Sequence, residues 1–541
     1  MGELRPTSRV ELLIFEKGAP GSRNGGLVSP DLPGTGLSTE GAGRVQTSAG
    51  GLLPGVALRS SPPALPELSE PQVVRHYTRL SQLNHSIDLG IYPLGSCTMK
   101  YNPKLNDELA SLDGFVNLHP YQHESEVQGM LELLWESEQA LLTIAGMRRV
   151  SLQPAAGAQG ESAGMLMIRA YHRDRVDTAR DVVIVPDSAH GTNLATAALA
   201  GCRVVELPSS SRGLIDLAAL KAALSERTAA LMLTNPNTLG LFEEDICEIT
   251  ALVHDAGALV YYDGANLNAI MGKVRPGDMG VDVMHLNLHK TFSTPHGGGG
   301  PGAGPVAAGD LLERYLPAPL VSRRRPSSGE PDAVGGEPRG PGLSFFLDYD
   351  RPDSIGRLKG FYGNIGVVIR AYAYILRMGA EGLTRASEDA VLSANYVRVR
   401  LRDLYEVPYD RVNMHEFVAS AVRQKERGVR ALDIAKRVLD YGVHAPTVYF
   451  PLIVPEALTI EPTETEDLAS LDGFIEVLRH IDQETKDAPE IVLEAPHTTP
   501  VRRPDEVRAA REPVLRWRPP TEEPQASTEV HRTVPAPTTA A

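Results

Sequence analysis

Cysteine is scarce in this chain. Three in 541 residues, at positions 97, 202 and 247, are too few and too scattered for a disulfide framework or a zinc cluster. No apolar run approaches the length of a membrane helix, which excludes a spanning segment. The opening "MGELRPTSRVELLIFEKGAP" holds only a short apolar patch, soon broken by Glu16 and Lys17, so no secretory signal is expected. Basic residues are also in deficit. With 53 Lys and Arg against 68 Asp and Glu, the formal net charge is −15, which argues against non-specific nucleic-acid binding while leaving room for a local basic patch. Together these absences point to a reducing, cytoplasmic setting. What is present is ordinary for a globular protein: 42% hydrophobic and 22% charged residues, in a chain long enough for two or three domains and a large core.

Residues 1–70 are rich in Gly, Pro and Ser, at least up to about Pro66, and read as an extended arm. Ser69 and Pro71 then signal a helix start. From there to about Gly300, short apolar runs such as "DVVIVP", "RVVELP", "AALMLT" and "GALVYYD" alternate with amphipathic stretches such as "LIDLAALKAALSER". That alternation predicts an α/β fold with a mostly parallel sheet covered by helices. A large domain is expected over 71–365, interrupted by a low-complexity, mobile loop at about 322–342. A smaller α+β domain is expected over 366–518, with helical periodicity in "ALDIAKRVLDYG" and a strand in "PTVYFPLIV". Residues 519–541 read as a disordered tail. No internal repeat is visible.

The stretch "VMHLNLHKTFSTPHGGGG" carries the chemistry. Val281, Val283, His285, Asn287 and His289 alternate as one strand face and lead to Lys290. A lysine at the rim of such a sheet, if desolvated, can form a Schiff base with an aldehyde; taken alone it reads first as an exposed surface lysine, as most lysines are. Upstream, "GALVYYDG" ends a strand in Asp263, one helix and one strand before Lys290, so both can lie at the same sheet edge. Alone, Asp before Gly is a turn former; beside a Schiff-base lysine it is the expected partner of a pyridinium nitrogen. "VSLQPAAGAQGESAGMLMIRAYH" reads as strand, turn and helix, with Gly157, Ala158 and Gln159 where backbone N–H groups face an anion. His289 can add a hydrogen bond there. His190, in "DSAHGTN", follows another strand and can stack on an aromatic ring, or simply pack in its loop.

These residues resemble a fold-type I pyridoxal-phosphate-dependent transferase. More narrowly, "YPLGSCTMKYNPK", "DYDRPDSIGRLKGFYGN", "NMHEFVAS", "DYGVHAPTVYFPLIVPEALTIEPTETE" and "EAPHTTPVRRPDE" are similar to the glycine cleavage system P-protein, in the lysine-bearing second subunit of its split bacterial form. The resemblance runs over about 10–517. It departs at the Arg/Gly/Pro-rich stretch from Arg323 to Gly340, which is longer and less regular than the family pattern. It implies pyridoxal 5′-phosphate on Lys290, with Asp263 holding the ring nitrogen protonated and His190 beside the ring. The implied reaction is decarboxylation of glycine and transfer of the aminomethyl group to the lipoyl arm of the H-protein. It also implies a complex with a homologous first subunit, two copies of each. Gly297 to Gly300 then read as active-site wall rather than linker.

Other readings stay open. Cys97, in "LGSCTMK", invites a nucleophile or persulfide carrier, as in another pyridoxal-phosphate lyase or desulfurase, but is as readily a small pocket-lining residue. Ser96, Thr98 and Lys100 are candidates for polar lining of the substrate pocket. A metal module built on His285, His289 and His296 is disfavoured, because the segment alternates like a strand and no carboxylate or cysteine set accompanies it. No metal is expected. A non-catalytic scaffold would leave Lys290 and Asp263 without a purpose.

Overall fold

In the computed structural model the described residues are 11–17, 65–296, 302–324 and 344–517. The four-glycine run, most of the expected arm and loop, and the tail lie outside them. The chain divides into two compact units, one of residues 85–499 and one of residues 1–84 with 500–541.

Residues 85–499 are built on a seven-stranded sheet: β1 (Arg149–Ser151), β2 (Val182–Pro186), β3 (Arg203–Leu207), β4 (Thr228–Thr234), β5 (Leu259–Gly264), β6 (Val283–Leu286) and β7 (Val306–Ala308). The spatial order is β1-β7-β6-β5-β4-β2-β3. β7 alone runs against its neighbours; the rest pair in parallel, the α/β architecture expected. The four apolar strings quoted above are β2, β3, β4 and β5. All residues of β2, β4 and β5 are buried, as strands covered on both faces require. Successive side chains still part by face. Val182, Ile184, Leu231, Leu233 and Tyr262 join one core with the helices Gln128–Ala145 and Ile246–Asp255. Val183, Val185, Ala230, Met232 and Tyr261 join another with the helix Gly157–Asp174. Each fully buried large side chain contributes about 1.5–3 kcal/mol relative to exposure. Edge strand β3 alone is largely exposed, with Arg203 and Glu206 on its rim, which discourages further pairing.

A hairpin of β8 (Leu320–Arg324) and β9 (Ser344–Asp348) follows, so Ser322, Arg323 and Arg324 belong to a strand rather than to the expected loop. The helix Ile365–Leu401 breaks at Gly379, whose φ of 61° and ψ of −177° only glycine adopts easily. Val367, Tyr374 and Ala386 pack with the large sheet's core, whereas Val397 and Leu401 pack with a third core built on a small antiparallel sheet. That sheet comprises β10 (Phe417–Ser420), β11 (Thr447–Val448) and β12 (Ala457–Ile460) in the order β10-β12-β11. "PTVYFPLIV" is therefore a strand only at its first two β residues. Pro451 and Pro455 cannot donate to a ladder, and Tyr449 already turns the chain with φ of 56°.

In the other unit, the helix Glu70–Gln82 starts as expected, with the Ser69 N–H donating to Gln72 Oε1 at 2.9 Å. Residues 11–17 were expected to have little structure of their own, yet Glu11 Oε1 lies 3.0 Å from the buried His76 ring and Phe15 stacks on Trp517 at 5.2 Å. The three cysteines are free. Among the described residues no helix is long and apolar enough to cross a membrane.

Candidate active site

The carboxyl ends of β1, β2, β5 and β6 open on one cavity of about 270 Å³, where ligands of open parallel sheets gather. Asp263 is the penultimate residue of β5 and Lys290 follows β6, one strand over. The segment before Lys290 departs from expectation. β6 ends at Leu286, and Leu288–Thr291 form a helical turn. His289 therefore leaves the strand face, and the half-buried Lys290 is carried inward, its Nζ donating to the Ser96 carbonyl at 2.7 Å.

Asp263 is buried, and burial alone would raise its pKa. His285, the Ala265 N–H, Lys290 and Asn193 outweigh burial and hold it below the usual carboxylate value. The Ala265 N–H donates to Oδ1 at 3.0 Å and Asn193 Nδ2 to Oδ2 at 3.2 Å. His285 Nε2 lies 3.3 Å from Oδ1 and its Nδ1 is 2.6 Å from the Tyr261 hydroxyl. Burial pushes the His285 pKa down, and the ring is held between the Asp263 carboxylate and the Tyr261 hydroxyl. Asn193 Nδ2 also donates to Glu161 Oε1 at 2.8 Å. Burial, and next the charge of Asp263, push Glu161 up to about 7. Two carboxyls sharing one amide resolve by one keeping its proton.

Opposite, the helix Gly157–Asp174 begins at the cavity with no side chain capping it, so the Gly157 and Ala158 N–H groups are open to an anion. A Cβ on Gly157 would meet Asn287 Oδ1 at 2.6 Å, so glycine lets that amide approach the turn. His190 caps the helix Gly191–Leu199, its Nδ1 accepting the Thr192 N–H at 3.2 Å, and lines the cavity. His289 lines it too, pushed down to about 3 by burial and then by His296 and Lys290.

Three expected residues lie outside the lining. Gln159, expected to offer its N–H to an anion, spends it on the Ala156 carbonyl at 3.1 Å, and its side chain donates to the Leu358 carbonyl at 3.1 Å. Thr98 is spent on Glu461. Lys100 is buried in a pair with Glu464 at 2.7 Å and donates to Asn268 Oδ1 at 2.7 Å, a structural role. Ser96 and Cys97 do line the cavity, but burial pushes the Cys97 thiol up, the wrong direction for a nucleophile. Sequence reasoning passed over Glu161, Asn193, Asn287, Glu416 and Glu461. Glu161 stands in the quoted "GAQGE" turn, and Glu416 is an acid set against a strand of apolar residues; those were the available signals.

Residues 158–299 match the aminotransferase class-V pattern and residues 386–500 match the glycine dehydrogenase C-terminal domain. A protein named probable glycine dehydrogenase (decarboxylating) subunit 2, from Caldanaerobacter subterraneus subsp. tengcongensis, is 60% identical over 86% of this chain and 93% of its own length. The chain belongs to the glycine dehydrogenase (decarboxylating) subunit 2 family. The Listeria innocua member is 54% identical over 93% of this chain and 98% of its own. A crystal structure of glycine decarboxylase (P-protein) of the glycine cleavage system, in inhibitor-bound form, shares the fold at a TM-score of 0.66 and 22% identity, over 80% of this chain and 94% of that one. The cysteine desulfurase CsdA from Escherichia coli shares it at 0.54 and 16%, over 77% and 99%.

The residues present suit the cofactor of this fold. Asn287 Oδ1 and Thr234 Oγ1 are buried, line the cavity and lack hydrogen-bond partners among the described residues, so they call for a polar ligand. An amine, an ionised carboxylate and an open helix N-terminus converge on the same space, matching the aldehyde, ring nitrogen and phosphate of pyridoxal phosphate.

Proposed function

We propose that this chain is the lysine-bearing subunit of glycine dehydrogenase, decarboxylating glycine and passing the aminomethyl group to the lipoyl arm of an H-protein. The observation that carries this is the convergence of Lys290 and Asp263 from adjacent parallel strands on one cavity. Pyridoxal phosphate, when bound, supplies the covalent hold on the substrate amine and the sink for the electrons that decarboxylation leaves. Lys290 provides the attachment amine. Asp263, kept ionised, holds a proton on the ring nitrogen. Gly157 and Ala158 would offer backbone N–H groups to the phosphate, where His289 would add a hydrogen bond, and His190 would lie beside the ring. Tyr261, His285 and Asn193 fix the Asp263 carboxylate. The buried surround excludes water, which limits stray protonation.

The subunit name borne by its relatives implies a partner, which we take to be a homologous first subunit, two copies of each, in the cytoplasm. The lipoylated carrier docks at the cavity mouth. Glycine–bicarbonate exchange measures the reaction directly. The co-expressed subunits should exchange label when H-protein is added; no exchange with the full set, or full exchange by a monomer of this chain alone, overturns the respective claim.

A further inference from the structure

The segment that meets Lys290 is held in an unusual way. Leu94 bridges Ile460, and the Gly95 N–H donates to the Thr459 carbonyl at 3.2 Å. The Thr447 hydroxyl donates to the Gly95 carbonyl at 2.8 Å. The chain then turns through Ser96 at φ 63° and Thr98 at φ 44°, a region non-glycine residues rarely occupy unless the surroundings impose it. Two acids impose it. Glu416, just before β10, accepts the Ser96 N–H at 2.7 Å, and Glu461, just after β12, accepts the Thr98 N–H at 3.0 Å and its hydroxyl. Both side chains are wholly or almost wholly buried, and the only ring or cation within ion-pair distance among the described residues is His415, at 3.9 and 3.7 Å. Neither His415 nitrogen has a hydrogen-bond partner among the described residues. Carboxyls are costly to bury without a cation, and apart from a long bond from Asn266 Nδ2 to Glu416 Oε1 at 3.4 Å these two accept from one three-residue turn, the Ser96 hydroxyl included at 3.3 Å. Burial, and next the charge of Glu461, push Glu416 well up.

We infer that Glu416 and Glu461 are positioning residues for Lys290: they clamp the Ser96–Thr98 turn so that the Ser96 carbonyl receives the Lys290 amine. The clamp gives that amine a defined seat whenever it is not bonded to a cofactor. The inference rests on Lys290 being the attachment residue, but its test does not need turnover. The full-length chain is stripped of cofactor and acetylated, and the peptide carrying Lys290 is quantified by mass spectrometry against peptides from exposed lysines. Glu416→Ala should raise Lys290 labelling roughly ten-fold, the factor one charge-assisted hydrogen bond is worth. Glu416→Gln should label like the wild type, because its amide oxygen accepts the same N–H. Adding Ser96→Gly to Glu416→Ala should bring labelling back toward wild type, since glycine holds positive φ unaided. Equal labelling in Glu416→Ala and wild type, or in the Ala and Gln variants, overturns the clamp. Should Glu416→Ala fail to fold, Glu461→Ala decides in its place: it frees the Thr98 end of the same turn, so Lys290 labelling should rise, and labelling equal to wild type overturns the inference. Pyridoxal phosphate added to the wild type should block labelling at Lys290. Absence of that protection would remove the function proposed for the lysine and leave the comparison of variants standing.

Discussion

Two walls meet at the cavity, and they are made in opposite ways. Asp263, Lys290, Gly157 and His190 each sit just beyond, or at the end of, a strand of one sheet. The facing turn of Ser96 and Thr98 is gripped by acids 320 and 363 residues away along the chain. The first wall follows from local strand–turn–helix grammar, which places a reactive group wherever a parallel strand ends. The second exists only after the small sheet has folded. Reactive groups come from short-range order here, and their poise from long-range order.

The comparison breaks most visibly at Lys290. Lys290→Ala should lose roughly 10⁴-fold in glycine–bicarbonate exchange, the upper range for removing a group that transfers protons and carries the cofactor. The fold should persist, because the side chain makes one hydrogen bond to a carbonyl; circular dichroism and the exchange assay report the two separately. Asp263→Asn should retain cofactor yet lose about 10²–10³-fold in turnover, since a neutral amide cannot hold the ring nitrogen protonated; near-wild-type kcat would remove that role. Lys100 sharpens the contrast. Lys100→Ala strands the buried Glu464 carboxylate and should cost about 3–5 kcal/mol in denaturant unfolding, while specific activity of the folded fraction stays near that of the wild type.

The smallest effect is a slope. The Glu161 pKa is raised from 4.5 to about 7 in the folded protein, so across that window the folded state binds the proton and the unfolded state does not. Its contribution is fully present below the unfolded value and is lost as pH rises through about 7. Glu161→Gln removes this term. Melting temperatures of variant and wild type should therefore converge at low pH, part as pH rises from 4.5 to about 7 and keep a constant gap above that, with the variant higher; a constant difference across pH would show that Glu161 is ionised throughout.

Most of the first wall was legible because its signals are contiguous. "GALVYYD" announces both a buried strand and the acid at its end, and "AAGAQGE" a turn entering a helix. The alternation through "VMHLNLH" misled, because hydrophobic period cannot register where a strand stops; Asn287 ends it and Lys290 rides a helical turn. Lys100 was credited to the pocket because its neighbours Ser96 and Cys97 are there. Its partner Glu464 lies far along the chain, beyond what spacing can reveal. The same distance hid Glu416 and Glu461. Local patterns could flag a buried acid before β10 but not the turn it grips.

The stacking of Phe15 on Trp517 bears on how the chain meets proteases. Residues from near each end of the chain cover one another, and His76 on the Glu70–Gln82 helix lies beneath Glu11. An exopeptidase that trims past Trp517 also uncovers Phe15, so damage at one end advertises the other. Loss of Trp517 should thus make the segment around Phe15 easier to cleave.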